Sequence, residues 1–450
     1  MGFIVQYYND RDDLPELLAA LENEWVVVLF ARADDLARID TKLEKRVLPE
    51  PSKGLWNRLV NVMYSMAGNI PTSYRTFRFW HFRRMARAES SLVQFFRKAQ
   101  LACRILSGGP FSFDRYLRTI TLNRSVALDD IDIIFAMTDV YDVNVLAQIT
   151  ESDKPFLNYV YSWDHAGKYT RFSKKNTRYL VWHDGIKDDL TELHGIDAKN
   201  INVIGSTQLA ILDDYIINTD IADKPIQKEP YVYYAGTMGY PEATEQELRA
   251  VKFLAHVLKT VAPETKLLFR PYPNVKMISQ YRELSNLKNV ELENIVISEG
   301  SVTFVRDRPE DKYSKIEEAA LFVHMGSTIG LEAAYLNTPV LYLVMDDFDY
   351  GYPANSVHHI RNTFSQRHLE KYFLSSETSN VIRSSGDLAE VLKTGIENPK
   401  ILMSYNKEIT AAIPLASIQR IAARISEIGR ASIDVQEVPT LEAVGGDTSA

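Results

Sequence analysis

Between Ala320 and Leu343 the chain reads ALFVHMGSTIGLEAAYLNTPVLYL, and its polar residues are spaced for holding a phosphorylated ligand. An apolar run closes on His324, a small-residue turn follows at Gly326, and Ser327-Thr328 open a helical segment with Glu332 on its second turn. Strand, turn and helix start together aim backbone N–H groups and a helix dipole at one point, which suits a phosphate. A carboxylate one turn further on can take the hydroxyls of an attached ribose. The same letters also fit a plain β-α-β unit in which Ser and Thr only cap a helix.

Two more strand ends share this polarity. The run Tyr231–Ala235 leads into Gly236-Thr237-Met238-Gly239, where glycine lets a backbone approach a ligand closely. The run Lys266–Phe269 leads into Arg270-Pro271-Tyr272-Pro273, with a guanidinium suited to bidentate phosphate contact. Together Gly236, Thr237, Arg270, His324, Gly326, Ser327, Thr328 and Glu332 make a candidate nucleotide-phosphate site.

Candidate acid–base residues lie earlier in the chain. The run Ile131–Met137 ends in Thr138-Asp139, and Pro155–Tyr161 ends in Ser162-Trp163-Asp164-His165. Transfer of a group to a hydroxyl needs a carboxylate or imidazole within hydrogen-bond reach, and Asp139, Asp164 and His165 qualify by placement. Asp164 also fits a helix N-cap and His165 a structural hydrogen bond. Lys168 and Arg171 follow closely enough to neutralise a phosphate. No resident metal or cofactor is expected. His358-His359, near Asp346-Asp347, lacks the helical His spacing and cysteine partners of a zinc site. Walker A, Gly-x-Gly-x-x-Gly and Gly-x-Ser-x-Gly patterns are absent, which speaks against ATPase, dehydrogenase and hydrolase chemistry.

Alternating apolar runs and helical patterns position these residues, which implies mostly parallel sheets covered on both faces. A 450-residue chain is too long for one core. A first α/β domain is expected over 1–215, with a basic and aromatic helical insertion at about 53–120. A polar connection is read from Ser206 to Pro230. A second α/β domain then spans 231–412, a helix over 413–431 packs back on the first, and 432–450 forms a disordered tail. Ligands of such paired domains sit where strand ends face each other across a cleft.

The net charge of −8 argues against general nucleic-acid binding. Its distribution matters more: residues 53–118 carry twelve Lys and Arg against Glu89 and Asp114, interleaved with Trp and Phe. That mixture suits a membrane surface, although a helical insertion with solvated arginines would read the same way. No apolar run reaches the eighteen residues of a membrane span, and the start of the chain lacks a secretion signal. Cys103 is the lone cysteine, so no internal disulfide forms. A cytoplasmic chain with peripheral contact to the inner membrane is expected.

The series Gly236-Thr237, Arg270-Pro271-x-Pro273, Gly326-Ser327-Thr328…Glu332-Ala333 and Asn337-Thr338-Pro339-Val340 resembles the donor-binding half of GT-B glycosyltransferases. The bacterial surface-polysaccharide branch is the nearest, related to CDP-glycerol glycerophosphotransferases and non-hydrolysing sugar-nucleotide 2-epimerases. The likeness is strongest over about 150–345. It implies two Rossmann-like domains, a donor phosphate on Ser327-Thr328, a ribose on Glu332, and no metal requirement. It also implies transfer of a sugar from a nucleotide-sugar donor to a saccharide or lipid-linked saccharide acceptor. Alternatives on the same fold are polyol-phosphate transfer from CDP-glycerol and epimerisation of a UDP-sugar. The alternative without catalysis is a nucleotide-sugar-binding scaffold.

Overall fold

The computed structural model describes residues 1–5, 11–48, 54–68, 90–120, 128–137, 143–168, 172–219, 229–237, 241–272, 281–298, 301–305, 307–354, 356, 358–361, 371, 373 and 380–437. The chain divides into two compact units. One gathers Met1–Pro71, Phe95–Gln208 and Ala416–Ala450, and the other Thr72–Gln94 and Leu209–Leu415.

In the first unit seven short strands, most of them apolar, form a parallel sheet. They are β1 (Gly2–Val5), β2 (Val28–Ala31), β3 (Glu44–Val47), β4 (Ile134–Met137), β5 (Phe156–Tyr159), β6 (Thr177–Val181) and β7 (Ile201–Val203). Their order is β3-β2-β1-β4-β5-β6-β7. The central strands are buried along their whole length, as expected when helices cover both faces. Phe3 of β1 stacks on Phe135 of β4 with ring centroids 5.1 Å apart. The longer helices are α1 (Asp13–Glu22), α2 (Leu55–Ala67), α3 (Ser91–Ser107, whose first residues to Gln94 are counted with the second unit), α4 (Phe113–Thr119), α5 (Val143–Ser152) and α6 (Asp184–His194). The chain passes into the main part of the second unit within α7 (Thr207–Thr219).

The second unit holds β8 (Glu229–Ala235), β9 (Lys266–Arg270), β10 (Val290–Leu292), an antiparallel hairpin of β11 (Ile295–Ser298) and β12 (Ser301–Phe304), then β13 (Ala319–His324), β14 (Val340–Leu343) and β15 (Val381–Ile382). Its parallel sheet runs β10-β9-β8-β13-β14-β15. Its helices are α8 (Pro241–Val261), α9 (Pro309–Glu318), α10 (Ile329–Tyr335), α11 (Leu388–Glu397) and α12 (Met403–Ala411). Asn406 of α12 fixes the start of β14: its Oδ1 accepts from Val340 N and its Nδ2 donates to Thr338 O.

The last helix, α13 (Ile418–Glu437), belongs to the first unit, where Trp25 Nε1 donates to Ser426 Oγ at 2.9 Å.

Two readings of the sequence are corrected. The polar connection of 206–230 contains α7, whose Leu209, Ala210 and Leu212 are buried; the acidic pair Asp213-Asp214 hides the apolar face from a composition-based reading. The expected tail from 432 starts inside α13, where buried Ser432 donates to Ile428 O. Residues 438–450 lie outside those described.

Candidate functional site

In each sheet the chain first builds outward in one direction, then returns to build the other way. In the second unit β8 is followed by β9 and β10 on one side, and β13 returns to its other side. The two strands flanking that reversal, β8 and β13, stay paired up to Ala235 and His324 at their carboxyl ends, and open α/β sheets bind ligands beyond such ends. Arg270 pairs with Ala235, and Ala235 pairs with His324, so the three strand ends chosen from sequence lie in one row across the sheet. Gly236-Thr237 and the Met325–Thr328 turn leave the sheet side by side at the reversal.

Each turn is held from within. Gly236 N donates to Arg270 O at 2.7 Å, and a Cβ on Gly236 would lie 2.8 Å from Tyr272 N, so only glycine fits. The Thr237 backbone N–H donates to Glu247 Oε1 at 2.9 Å, and the same oxygen accepts from the Tyr234 hydroxyl. Glu247 is buried on α8, and sequence reading missed it because it belongs to an apparently ordinary amphipathic helix. The Thr237 Oγ1 is buried with no hydrogen-bond partner among the described residues. A buried hydroxyl without a partner costs about 1–3 kcal/mol, which a polar ligand at this place would offset.

His324 organises the neighbouring turn. Its Nδ1 accepts from the N–H groups of Gly326 (3.2 Å) and Ser327 (3.0 Å), which assigns the proton of the neutral ring to Nε2. Phe322, Tyr342 and Phe373 surround the imidazole, and burial pushes its pKa down to about 3. A Cβ on Gly330 would sit 2.5 Å from the ring, so α10 approaches this histidine as closely as a helix can. Gly326 takes a φ of 103°, open to glycine and strained for other residues.

The consequence differs from the sequence expectation. Two turn N–H groups are directed at His324, and α10 has only seven residues. Side chains therefore offer the polar surface of this turn. Ser327 Oγ accepts from Ile329 N, a local turn contact, while Thr328 is the N-cap without a side-chain capping bond. Glu332 is buried, and its Oε2 lies 2.7 Å from Lys312 Nζ on α9. The contact has ion-pair distance but not hydrogen-bond alignment, since Oε2 has no hydrogen-bond partner among the described residues.

Arg270 is placed in the row but points into the fold. Its Nη1 and Nη2 form a fork with Asp307 at 2.7 and 2.8 Å, and Glu293 lies 3.4 Å away. Glu293 also accepts from the Tyr233 hydroxyl and from Lys315 Nζ. Burial alone would raise the Asp307 pKa; the Arg270 fork outweighs it and holds the carboxyl below its ordinary value.

In the first unit the reversal falls between β1 and β4. Asp139 follows β4 directly in sequence and lies outside the described residues. Asp164 and His165 follow β5, one strand away: Ser162 Oγ donates to Asp164 Oδ1 at 2.5 Å, and His165 Nε2 lies 4.0 Å from Asp164. Sequence reading missed the cation beside them. Arg11 is buried in a fork with Asp13, and its guanidinium lies 3.7 Å from the centre of the Tyr161 ring, which in turn neighbours His165. The Arg11-Asp12-Asp13 run gave no motif; only its place just after β1 distinguishes it. Carboxylate, imidazole and guanidinium within one cluster can accept a proton and steady the charge that results.

His358 and His359 lie in the second unit, and each of their aspartate neighbours has other partners. Arg361 donates to Asp346, and Ser384 and Ser385 to Asp347. Among the described residues no group of three or more His, Cys, Asp or Glu side chains is arranged to hold a metal ion.

No protein-family model matches the sequence, and no curated protein matches it. Solved structures do. A Listeria monocytogenes protein assigned as a UDP-N-acetylglucosamine 2-epimerase is similar at a TM-score of 0.50 with 12% identity, covering 97% of this chain and 96% of that one. S. aureus MnaA, in a co-structure with UDP, is similar at a TM-score of 0.51 with 11% identity, covering 97% of each chain. At such identities the likeness concerns fold alone. This is a GT-B fold, with two α/β units built on parallel sheets of seven and six strands.

Proposed function

We propose that the chain is a GT-B glycosyltransferase that moves a sugar from a nucleotide-sugar donor to a hydroxyl of a lipid-linked bacterial surface polysaccharide. One observation carries this reading: Gly236-Thr237 and the Gly326–Thr328 turn emerge together at the sheet reversal of the second unit, with a buried, unpartnered Thr237 hydroxyl between strand and helix. The donor diphosphate is addressed there by the hydroxyls of Thr237, Ser327 and Thr328. Glu332 takes the ribose, and Lys312 beside it supplies a cation for the leaving nucleotide. Arg270 acts on this site by bracing the strand ends through Asp307, not by touching phosphate. In the first unit Asp139 or Asp164 takes the acceptor proton, with His165 and Arg11 steadying the carboxylate.

A second reading, epimerisation of a UDP-sugar, draws support from the epimerase assignment of one structure sharing the fold and from the UDP in another. Incubation of the protein with UDP-, CDP- and GDP-sugars, with and without a lipid-linked saccharide, separates the two. Nucleotide release that requires the acceptor supports transfer. Conversion of the sugar without acceptor and without net nucleotide release supports epimerisation. Neither outcome with any donor would sink both.

A further inference from the structure

Helices α2 and α3 turn apolar faces outward. On α2, Asn57, Val60 and Tyr64 form the buried side, while Leu55, Trp56, Leu59, Val62, Met63 and Met66 line the opposite side at 39–73% exposure. This reverses the usual arrangement of a surface helix, which hides its apolar stripe. On α3 no residue is buried, and Leu92, Phe95, Phe96 and Leu106 recur at helical spacing, 57–86% exposed. The stripe from Leu92 to Leu106 is roughly 21 Å long at the α-helical rise. Scattered exposed leucines need no explanation, but stripes on two helices do.

Charge identifies what covers them. Residues 54–68 and 90–107 contain Arg58, Arg97, Lys98 and Arg104 and no Asp or Glu, in a chain whose net charge is −8. Arg104 packs over the Tyr64 ring and donates to Gly68 O, linking α3 to the end of α2. Arg58 and Lys98 are exposed beside the stripes. Trp56 is half exposed with its indole N–H bound to Thr119 O, an amphipathic ring of the kind that settles at a lipid–water boundary. A second copy of the chain would set like charges against each other across such a face. A bilayer surface with anionic headgroups presents apolar depth and negative charge together, which both stripes need.

We infer that α2 and α3 form a peripheral docking surface for anionic phospholipid membranes. The inference rests on these helices alone and does not depend on the transferase reading. Among the described residues no helix is long and apolar enough to cross a membrane, so the contact lies in the interface.

Co-sedimentation of the full chain with vesicles tests it. Binding is expected to phosphatidylcholine mixed with phosphatidylglycerol, to weaken at high salt, and to be slight on phosphatidylcholine alone. Arg58→Gln with Lys98→Gln lowers the partition coefficient roughly fivefold per charge removed. Phe95→Ser with Phe96→Ser, and separately Leu55→Ser with Leu59→Ser, lowers it by at least about tenfold. Because these side chains are exposed, the thermal midpoint should stay unchanged, and each pair controls for misfolding of the other. Absence of binding to the mixed vesicles overturns the inference. So does a concentration-dependent dimer that Phe95→Ser with Phe96→Ser dissolves while vesicles remain unbound.

Discussion

Acidification should destabilise the second unit through His324, by an amount its surroundings set. The folded ring is neutral with a pKa near about 3, because it is buried among Phe322, Tyr342 and Phe373 and accepts two backbone N–H groups. In the unfolded chain an ordinary histidine titrates near about 6.5. A depressed folded pKa means this contribution to stability is complete above the unfolded value and is lost as pH falls toward the folded one. Between about pH 7 and pH 4.5 the unfolded state gains about three-quarters of a proton that the folded state does not, a loss of roughly 2–3 kcal/mol.

Urea unfolding at both pH values, for wild type and His324→Asn, measures it. The asparagine carboxamide oxygen can accept from Gly326 and Ser327 but does not titrate. The variant should be weaker at neutral pH, since the ring volume is lost, yet its further loss on acidification should be smaller by that 2–3 kcal/mol. His324→Gln serves if Asn does not fold. His194, in the first unit, is pushed down to about 4 by burial and should respond identically in all three proteins. Equal acid sensitivity of wild type and both variants in the second unit would refute the reasoning.

Gly236→Ala should lower stability by about 1–3 kcal/mol, because its methyl meets backbone at Tyr272 and Arg270 that cannot rotate away; an unchanged thermal midpoint would contradict this. Arg270→Met removes the partner of Asp307 and leaves buried Glu293 with one cation fewer, and should cost about 3–5 kcal/mol in urea unfolding. A loss of nucleotide affinity with stability intact would instead make Arg270 a direct phosphate ligand. Glu247→Gln keeps an oxygen for Thr237 N–H and should bind nucleotide nearly as wild type, whereas Glu247→Ala should weaken binding about tenfold, measured by calorimetry.

The parallel sheets were legible because many of their strands are short, mostly apolar runs separated by helical periods, as in β1, β4, β13 and β14. β3, with the sequence EKRV at the sheet edge, was not, since it carries no apolar pattern. The two-residue β15 was too short for any. The row of Arg270, Ala235 and His324 could be guessed from strand ends, but their adjacency depends on β13 pairing with β8 across the 83 residues between Ala235 and Ala319, which no local pattern encodes. Partner choice was equally hidden. Nothing in the run of letters shows that Arg270 grips Asp307, that Glu332 meets Lys312, or that His324 takes the very N–H groups expected to hold a phosphate. The outward apolar stripes of α2 and α3 were visible as composition, yet which side faces the core emerges only from the fold.

Nucleotide binding at the β8–β13 reversal is the property to measure first. Calorimetric titration of the full chain with UDP, CDP, GDP and CMP should give one saturable nucleotide whose binding raises the thermal midpoint. Thr237→Val and Glu332→Gln should each weaken that nucleotide by about tenfold while leaving the unliganded midpoint within a few degrees. Binding that neither substitution alters, or no binding of any of the four, would contradict the assignment of this turn as the donor site.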